Sequence, residues 1–188
     1  QAREISREFK RDPIEKNWML FESDGGVWAT YSIQPHVVLS VDFDQADRIP
    51  ARTAHVDHWS NGYQSRYGHL RGSAQPLDRG DTFLAIAHSS YKTDAGRRYC
   101  AAFYRFQAQS PFQLLAASAE PLPLPNPRGS SFEMEKLNKA VAEVIYPCGF
   151  VIQGADVVVS YGINDDACAV VRMPLSTVEA NLAPVQRS

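Results

Sequence analysis

The 188-residue sequence contains no uninterrupted apolar run of transmembrane length, which excludes a membrane-spanning helix. Cysteine is scarce: Cys100, Cys148 and Cys168 are an odd number without CxxC spacing, which argues against both a disulfide framework and a zinc knuckle. The same scarcity favours a soluble, cytoplasmic protein. Basic residues are not in excess, with 19 Lys and Arg against 21 Asp and Glu for a net charge of -2, so there is no nucleic-acid footprint. The patterns GxSxG, HExxH, GxGxxG and the P-loop are all missing, so no cofactor, metal or nucleotide chemistry is implied. His55 and His58 resemble a metal pair, but on a strand the i,i+3 spacing points them to opposite faces.

What is present is a strand pattern that occurs three times, over Asn17 to Ser32, Gly72 to Ser89 and Tyr146 to Tyr161. Each copy reads as a short strand, a tight Gly/Asp turn and a second, more apolar strand. A third apolar strand follows, at Val37 to Phe43, Cys100 to Phe106 and Cys168 to Met173. Cys100 and Cys168 fall at equivalent positions in these strands and read as small buried hydrophobes. A repeated three-to-four-strand meander predicts an all-β fold built of β-propeller blades. The blades are expected over residues 14–60, 68–120 and 144–182 of a single domain spanning 14–188, after a charged lead-in segment 1–13.

Between the second and third blades, Pro121 to Pro127 reads as an extended linker, because each proline removes a ladder donor. Residues 131–144 have helical spacing and good helix formers, which predicts a short helix there. The tail from Pro174 reads as an edge or closing segment. The chain begins with Gln, and so reads as a processed or trimmed piece of a longer protein.

Antiparallel strands alternate direction, so the segment before strand one and the loop between strands two and three share one end of each blade. That upper end collects Glu15-Lys16-Asn17, Arg71-Gly72-Ser73 and Tyr146 to Gly149, with loops at Gln34-Pro35-His36, His88 to Arg98 and Asn164-Asp165-Asp166. The lower end receives Asp24-Gly25-Gly26, Asp78 to Asp81 and Gln153-Gly154-Ala155, which are plain hairpin turns. Binding residues concentrate on loops held by a rigid scaffold, which assigns function to the upper end.

The residue types there suit a polyhydroxyl, anionic ligand. Glu15 and Asn17 match hydroxyls, while the Lys16 ammonium and the planar Arg71 guanidinium match a phosphate or carboxylate. Ser73, His88, Tyr161, Asn164 and Asp165 complete the expected substrate-binding set. Paired carboxylates for glycoside chemistry would have to be drawn from Glu15 and Asp165, and the sequence does not fix a catalytic residue.

With these residues in view, the chain resembles the C-terminal part of the five-bladed β-propellers of glycoside-processing enzymes, in particular the mannoside phosphorylase group and related transferase-like proteins. The likeness is carried by Glu15-Lys16-Asn17-Trp18 with Phe21, Tyr31 to His36, Arg71-Gly72-Ser73 and Phe83 to His88. It continues through Ser110-Pro111-Phe112, Tyr146 to Phe150 and Ser160 to Asp165. The resemblance implies a sugar-lined funnel with phosphate held near Lys16, and a general acid that comes from N-terminal blades outside this chain. About three of five blades are then present, the rest coming from an upstream segment or another chain.

The expected function is a carbohydrate-active module that acts on or binds a glycan or glycosyl phosphate. A non-catalytic carbohydrate-binding or assembly module of a larger glycosyltransferase, and a protein-binding propeller scaffold, stand beside it. Whether the chain is itself an enzyme is left open by the sequence.

Overall fold

Side-chain alternation with period two builds the fold from its first hairpin onward. The structure, a computed structural model, describes residues 4–7, 16–44, 48–126 and 141–187. A first blade comprises β1 (Ile5–Arg7), β2 (Met19–Ser23), β3 (Gly26–Ser32), β4 (His36–Val41) and β5 (Ile49–Asp57). Its order is β1-β5-β4-β3-β2, antiparallel except for β1, which lies parallel along β5. Asp24 and Gly25, at φ 50° and 72°, form the two-residue turn between β2 and β3. Left-handed angles at both positions match the twist of the flanking strands.

A short strand β6 (Trp59–Ser60) and helix α1 (Tyr63–Tyr67) lead into the second blade. Its inner edge is split into β7 (Arg71–Gly72) and β8 (Leu77–Asp78), both paired with β9 (Thr82–Thr93). The gap contains Pro76, which cannot donate to the ladder. Next come β10 (Gly96–Gln107) and β11 (Leu114–Ser118). A third blade follows as β12 (Val141–Gln153), β13 (Asp156–Ile163) and β14 (Ala167–Pro174). The chain then runs through α2 (Leu175–Asn181), β15 (Leu182–Pro184) and β16 (Gln186–Arg187). These are propeller-like blades, and among the described residues the sheets do not close into a ring.

The second blade is buried on both faces. Phe83, Ala85 and Ala87 of β9, with Ala102, Tyr104 and Phe106 of β10, face the first blade and join Met19, Phe21 and Val38. The alternate residues Leu84, Ile86, Ala101 and Phe103 face the third blade and join Val157, Val159, Tyr161 and Ile163. In the first interface Phe21 lies 5.0 Å from Phe83, 5.4 Å from Phe106 and 5.5 Å from Phe112 between ring centres. Such tilted and edge-on pairs add to the stabilisation from burial.

Several expectations change. His88 to Arg98 is not a loop: β9 and β10 pair without interruption from Thr82 opposite Gln107 to Thr93 opposite Gly96. The true turn is Asp94-Ala95, closed by the Thr93 hydroxyl donating to the Gly96 carbonyl at 2.8 Å. Cys100 is half-buried and Cys168 exposed, because β14 turns the Cys168 face away from the core. Of the segment expected to be helical, Val141 to Val144 belong to β12, where Arg97 and Tyr99 of β10 pair with Val141 and Val144. The preceding residues 127–140 lie outside the described residues.

The Pro-rich stretch is tied down as far as it is described. Leu122 and Leu124 are buried, the Leu122 N–H donates to the Ala101 carbonyl, and the Tyr161 hydroxyl donates to the Pro125 carbonyl at 2.6 Å. The tail closes the first interface, with β15 on β11 and β16 on β6. Arg187 donates to the Leu114 carbonyl at 2.6 Å and pairs with the buried Asp57 at 3.4 Å.

His36 sits fully buried in the same interface, with Nε2 3.1 Å from the Phe112 carbonyl. Burial, with the nearby His55 adding to it, pushes its pKa from 6.5 down to about 3, against the pull of the Phe112 carbonyl. Below pH 6.5 the unfolded chain therefore takes up a proton that the folded chain refuses. His36 stabilises fully above that pH and progressively less as the pH falls toward about 3. Urea titrations at about pH 7 and pH 4.5 should show wild type losing on the order of 2–3 kcal/mol more than His36→Gln over this interval. Parallel losses would remove His36 as the source.

Candidate functional site

The upper ends of the first two blades come together where β2 and β7 begin. Asn17, at φ 65°, turns the chain into β2, and its carbonyl lies against Gly72 of β7. A methyl group on Gly72 would sit 2.6 Å from the Met19 sulfur and closer still to that carbonyl. Only glycine permits this approach, and it brings Lys16 and Arg71 to the same place.

A cleft of about 400 Å³ opens there. Lys16, Asn17 and Trp18 form one wall, Tyr31 to Gln34 from the β3–β4 connection a second, and His69 to Gly72 a third. Thus the first two pre-strand corners and the first two-to-three loop line one cleft, whereas Tyr146 to Gly149, expected to precede a strand, lie within β12. Lys16, His69 and Arg71 are exposed, and Trp18 and Tyr31 pack edge to face at 5.3 Å. The Gln34 Oε1 accepts from the Leu70 N–H at 3.0 Å, while its Nε2 is buried with no partner among the described residues. No Asp or Glu lines the cleft among the described residues. Donors crowd this surface, so an acceptor-rich ligand fits it.

Behind the cleft, Arg71 pairs across the sheet with His88. His88 is buried, its Nδ1 is hydrogen-bonded to the Ser73 hydroxyl at 2.9 Å, and its ring lies 4.6 Å from that of Tyr146. Burial, then the charges of Arg71 and Lys16, lower its pKa to about 4, although the Gly72 carbonyl favours the proton. At neutral pH the imidazole is uncharged and holds the serine hydroxyl in place. Tyr146 is half-buried, which raises its phenol pKa and keeps the hydroxyl protonated.

A second hollow, about 530 Å³, lies where the inner strands of all three blades meet. It is lined by Trp18 to Leu20, Ser73 to Gln75 and Cys148 to Phe150. Trp18 borders both cavities, so the cleft and this axial groove are neighbours.

The structure therefore brings together Lys16, Asn17, Arg71, Ser73 and His88. Tyr161 and Asn164 are placed elsewhere, in the third blade. The Tyr161 ring is buried in the second core, and its hydroxyl serves Pro125. The Asn164 side-chain oxygen accepts from the Val144 N–H at 2.8 Å, and its own N–H donates to the Val144 carbonyl at 2.9 Å. Asp165 is exposed in the β13–β14 turn at φ 65°. None of these three lines the cleft or the groove. Glu15 lies outside the described residues.

The sequence reading did not single out His69, nor the Gln34 amide. Gln34 stood in the upper loop, but its spare donor emerges only when the chain folds back so that Leu70 takes the amide oxygen.

No family model matches this sequence, and no curated protein matches it. Solved structures do. The chain is similar to the β-1,2-mannobiose phosphorylase from Listeria innocua in complex with β-1,2-mannobiose, with a TM-score of 0.62 at 18% identity over 90% of this chain and 47% of that one. It is also similar to a glycosyl hydrolase from Bacteroides ovatus, with a TM-score of 0.57 at 12% identity over 93% of this chain and 51% of that one. The likeness is one of fold, and this chain spans about half the length of each.

Gly72→Ala should cost about 1–3 kcal/mol, because the added methyl meets backbone that cannot swing aside. Chemical denaturation measures this directly. A neutral substitution would mean that the Asn17 corner is not pressed against β7.

Proposed function

We propose that the cleft between the first two blades binds the anionic, hydroxyl-rich end of a glycan or glycosyl phosphate. The observation that carries this reading is the donor set of Lys16, Asn17, Arg71 and Gln34 beside Trp18, in a cleft with no lining carboxylate among the described residues. Lys16 and Arg71 hold the phosphate or carboxylate, Asn17 and Gln34 meet sugar hydroxyls, and Trp18 offers an apolar face to the ring. Ser73, held by neutral His88, adds a hydroxyl from the groove side. The mannobiose in the Listeria innocua complex and the glycosyl hydrolase fold of the second neighbour support a carbohydrate ligand.

A carbohydrate-binding or assembly role within a larger glycan-processing protein accounts for the cleft best. Glycosidic bond cleavage needs a general acid, and the described lining supplies none. In this reading the chain is the C-terminal part of a five-bladed ring, and the acid belongs to the blades that complete it. The outer face of the third blade supports such a neighbour: Val151 and Val170 are 57% and 69% exposed there. Apolar surface of this kind suits packing against another sheet.

Thermal shift and calorimetry with mannose 1-phosphate and with β-1,2-mannobiose test the proposal. Wild type should be stabilised by at least one of them, and Lys16→Ala or Arg71→Ala should weaken the phosphate ester about ten- to a hundredfold. Equal binding by the variants, or no stabilisation by either compound, would sink it. Turnover by this chain alone that disappears in Asp165→Ala would instead make it the enzyme.

A further inference from the structure

The seam between the first two blades encloses two histidines, a carboxylate and a guanidinium. His36 and Asp57 stand opposite each other on β4 and β5, and His55 lies two residues before Asp57. Cross-strand partners and residues two apart share a face, so all three side chains point into the seam. The rings of His36 and His55 are 6.3 Å apart between centres. His36 Nε2 faces the Phe112 carbonyl, which can only accept, so Nε2 carries the proton and Nδ1 is bare. That Nδ1 and the His55 Nε2 are both buried with no hydrogen-bond partner among the described residues. A second proton on His36 would point at no acceptor.

Strand β16 closes over this cluster. Arg187 Nε lies 3.4 Å from Asp57 Oδ2, which also accepts from the Leu114 N–H at 3.3 Å. Arg187 donates to the Leu114 carbonyl as well, and the Gln113 amide oxygen faces the same guanidinium, 2.9 Å from Nε. Of these anchors, Asp57 alone carries charge. Arg187 stands opposite Trp59 of β6, whose indole N–H donates to the Ile33 carbonyl at 2.6 Å. Ile33 and Gln34 belong to the second wall of the upper cleft, so the strap braces that wall from behind.

Asp57 is therefore the one carboxylate that Arg187 and a protonated histidine would have to share. The other groups facing the imidazoles are neutral: the Tyr104 phenol, which burial holds protonated, the Phe106 ring and the Phe112 carbonyl. His58, the next residue, is exposed. With the strap docked and both histidines neutral, Asp57 and Arg187 balance. A proton on His55 leaves two cations on one buried carboxylate, and departure of Arg187 restores the balance. We propose that β16 is an acid-released strap, in which a proton on His55 displaces the Arg187 guanidinium from Asp57 and frees the brace behind the cleft. The inference does not depend on what the cleft binds.

The sign follows from the surroundings of His55. Burial first, and Arg187 after it, lower its pKa below 6.5, while Asp57 pulls the other way. Release removes the guanidinium and admits water, so the pKa rises and the open form binds the proton more tightly. Docking is thus fully favourable above pH 6.5 and weakens as the pH falls. His36 lies deeper and resists protonation down to about 3, so His55 takes the first proton.

Hydrogen exchange of the full chain at pH 7.5 and pH 5.5, read against the intrinsic rate at each pH, tests the proposal. Protection of the peptide covering residues 182–187 should fall roughly five- to tenfold at the lower pH, while the β9–β10 peptides keep theirs. His55→Gln should hold the strap protected at both pH values. Because that half-buried position can alter packing, NMR titration of Arg187→Gln supplies a second reading: the His55 midpoint should rise by about half a unit or more. Strap protection that does not change with pH, an equal loss in His55→Gln, or an unmoved midpoint in Arg187→Gln would each overturn the inference. So would loss of β9–β10 protection in step with the strap, which would make the transition one of the whole molecule.

Discussion

Strands β9 and β10 are covered on both faces, so nearly every side chain along their middle must be apolar or find a partner inside the protein. The few polar groups there comply. Ser89 lies 3.0 Å from the Tyr63 hydroxyl, the Phe103 N–H donates to the Ser118 hydroxyl, and His88 holds Ser73. Because side chains alternate, odd- and even-numbered residues of one strand feed two different cores. That fixes the first and third blades on opposite sides of the second, with all three inner edges converging on one groove.

The candidate site inherits its geometry from this arrangement. Arg71 stands opposite His88 because β7 pairs with β9, and Lys16 reaches the same corner because Gly72 lets the Asn17 carbonyl approach. Burial, reinforced by two nearby cations, keeps the His88 imidazole neutral, so the positive charge stays at the exposed rim, where a ligand meets it. Further in, the hydrogen-bonding groups are uncharged: serine, tyrosine and an amide. The gradient from charged rim to neutral interior suits a ligand that carries an anion at one end and hydroxyls at the other.

Much of the fold was legible in the sequence because its signals are local. Asp24-Gly25 and Gly154-Ala155 mark turns by backbone preference alone, and the period-two runs after them identify strands that bury one face or both. The direction argument also placed Lys16, Asn17 and Arg71 at one end before any contact was known. What escaped depends on partners distant in sequence. His88 to Arg98 looks like a loop until Ser89 to Thr93 pair residue by residue with Cys100 to Gly96. Tyr161 and Asn164 look like pocket residues until the Tyr161 hydroxyl donates to Pro125 and the Asn164 side-chain oxygen accepts from Val144. Exposure of Cys168 depends on which face of β14 the second blade covers, and periodicity alone does not choose between faces.

The last strands have a consequence for the order in which the molecule assembles. Arg187 reaches back to Asp57, and β16 pairs with β6, so the seam between the first two blades is finished by residues made after both of them. During synthesis the first two blades emerge with Asp57 facing no guanidinium and with the outer edge of β11 bare. Contacts spanning so much of the chain close late and slowly, because loop entropy must be overcome before they form. The interval between emergence of β11 and arrival of β15 is when this protein most needs protection from pairing with the wrong edge. Loss of β15 would extend that interval indefinitely.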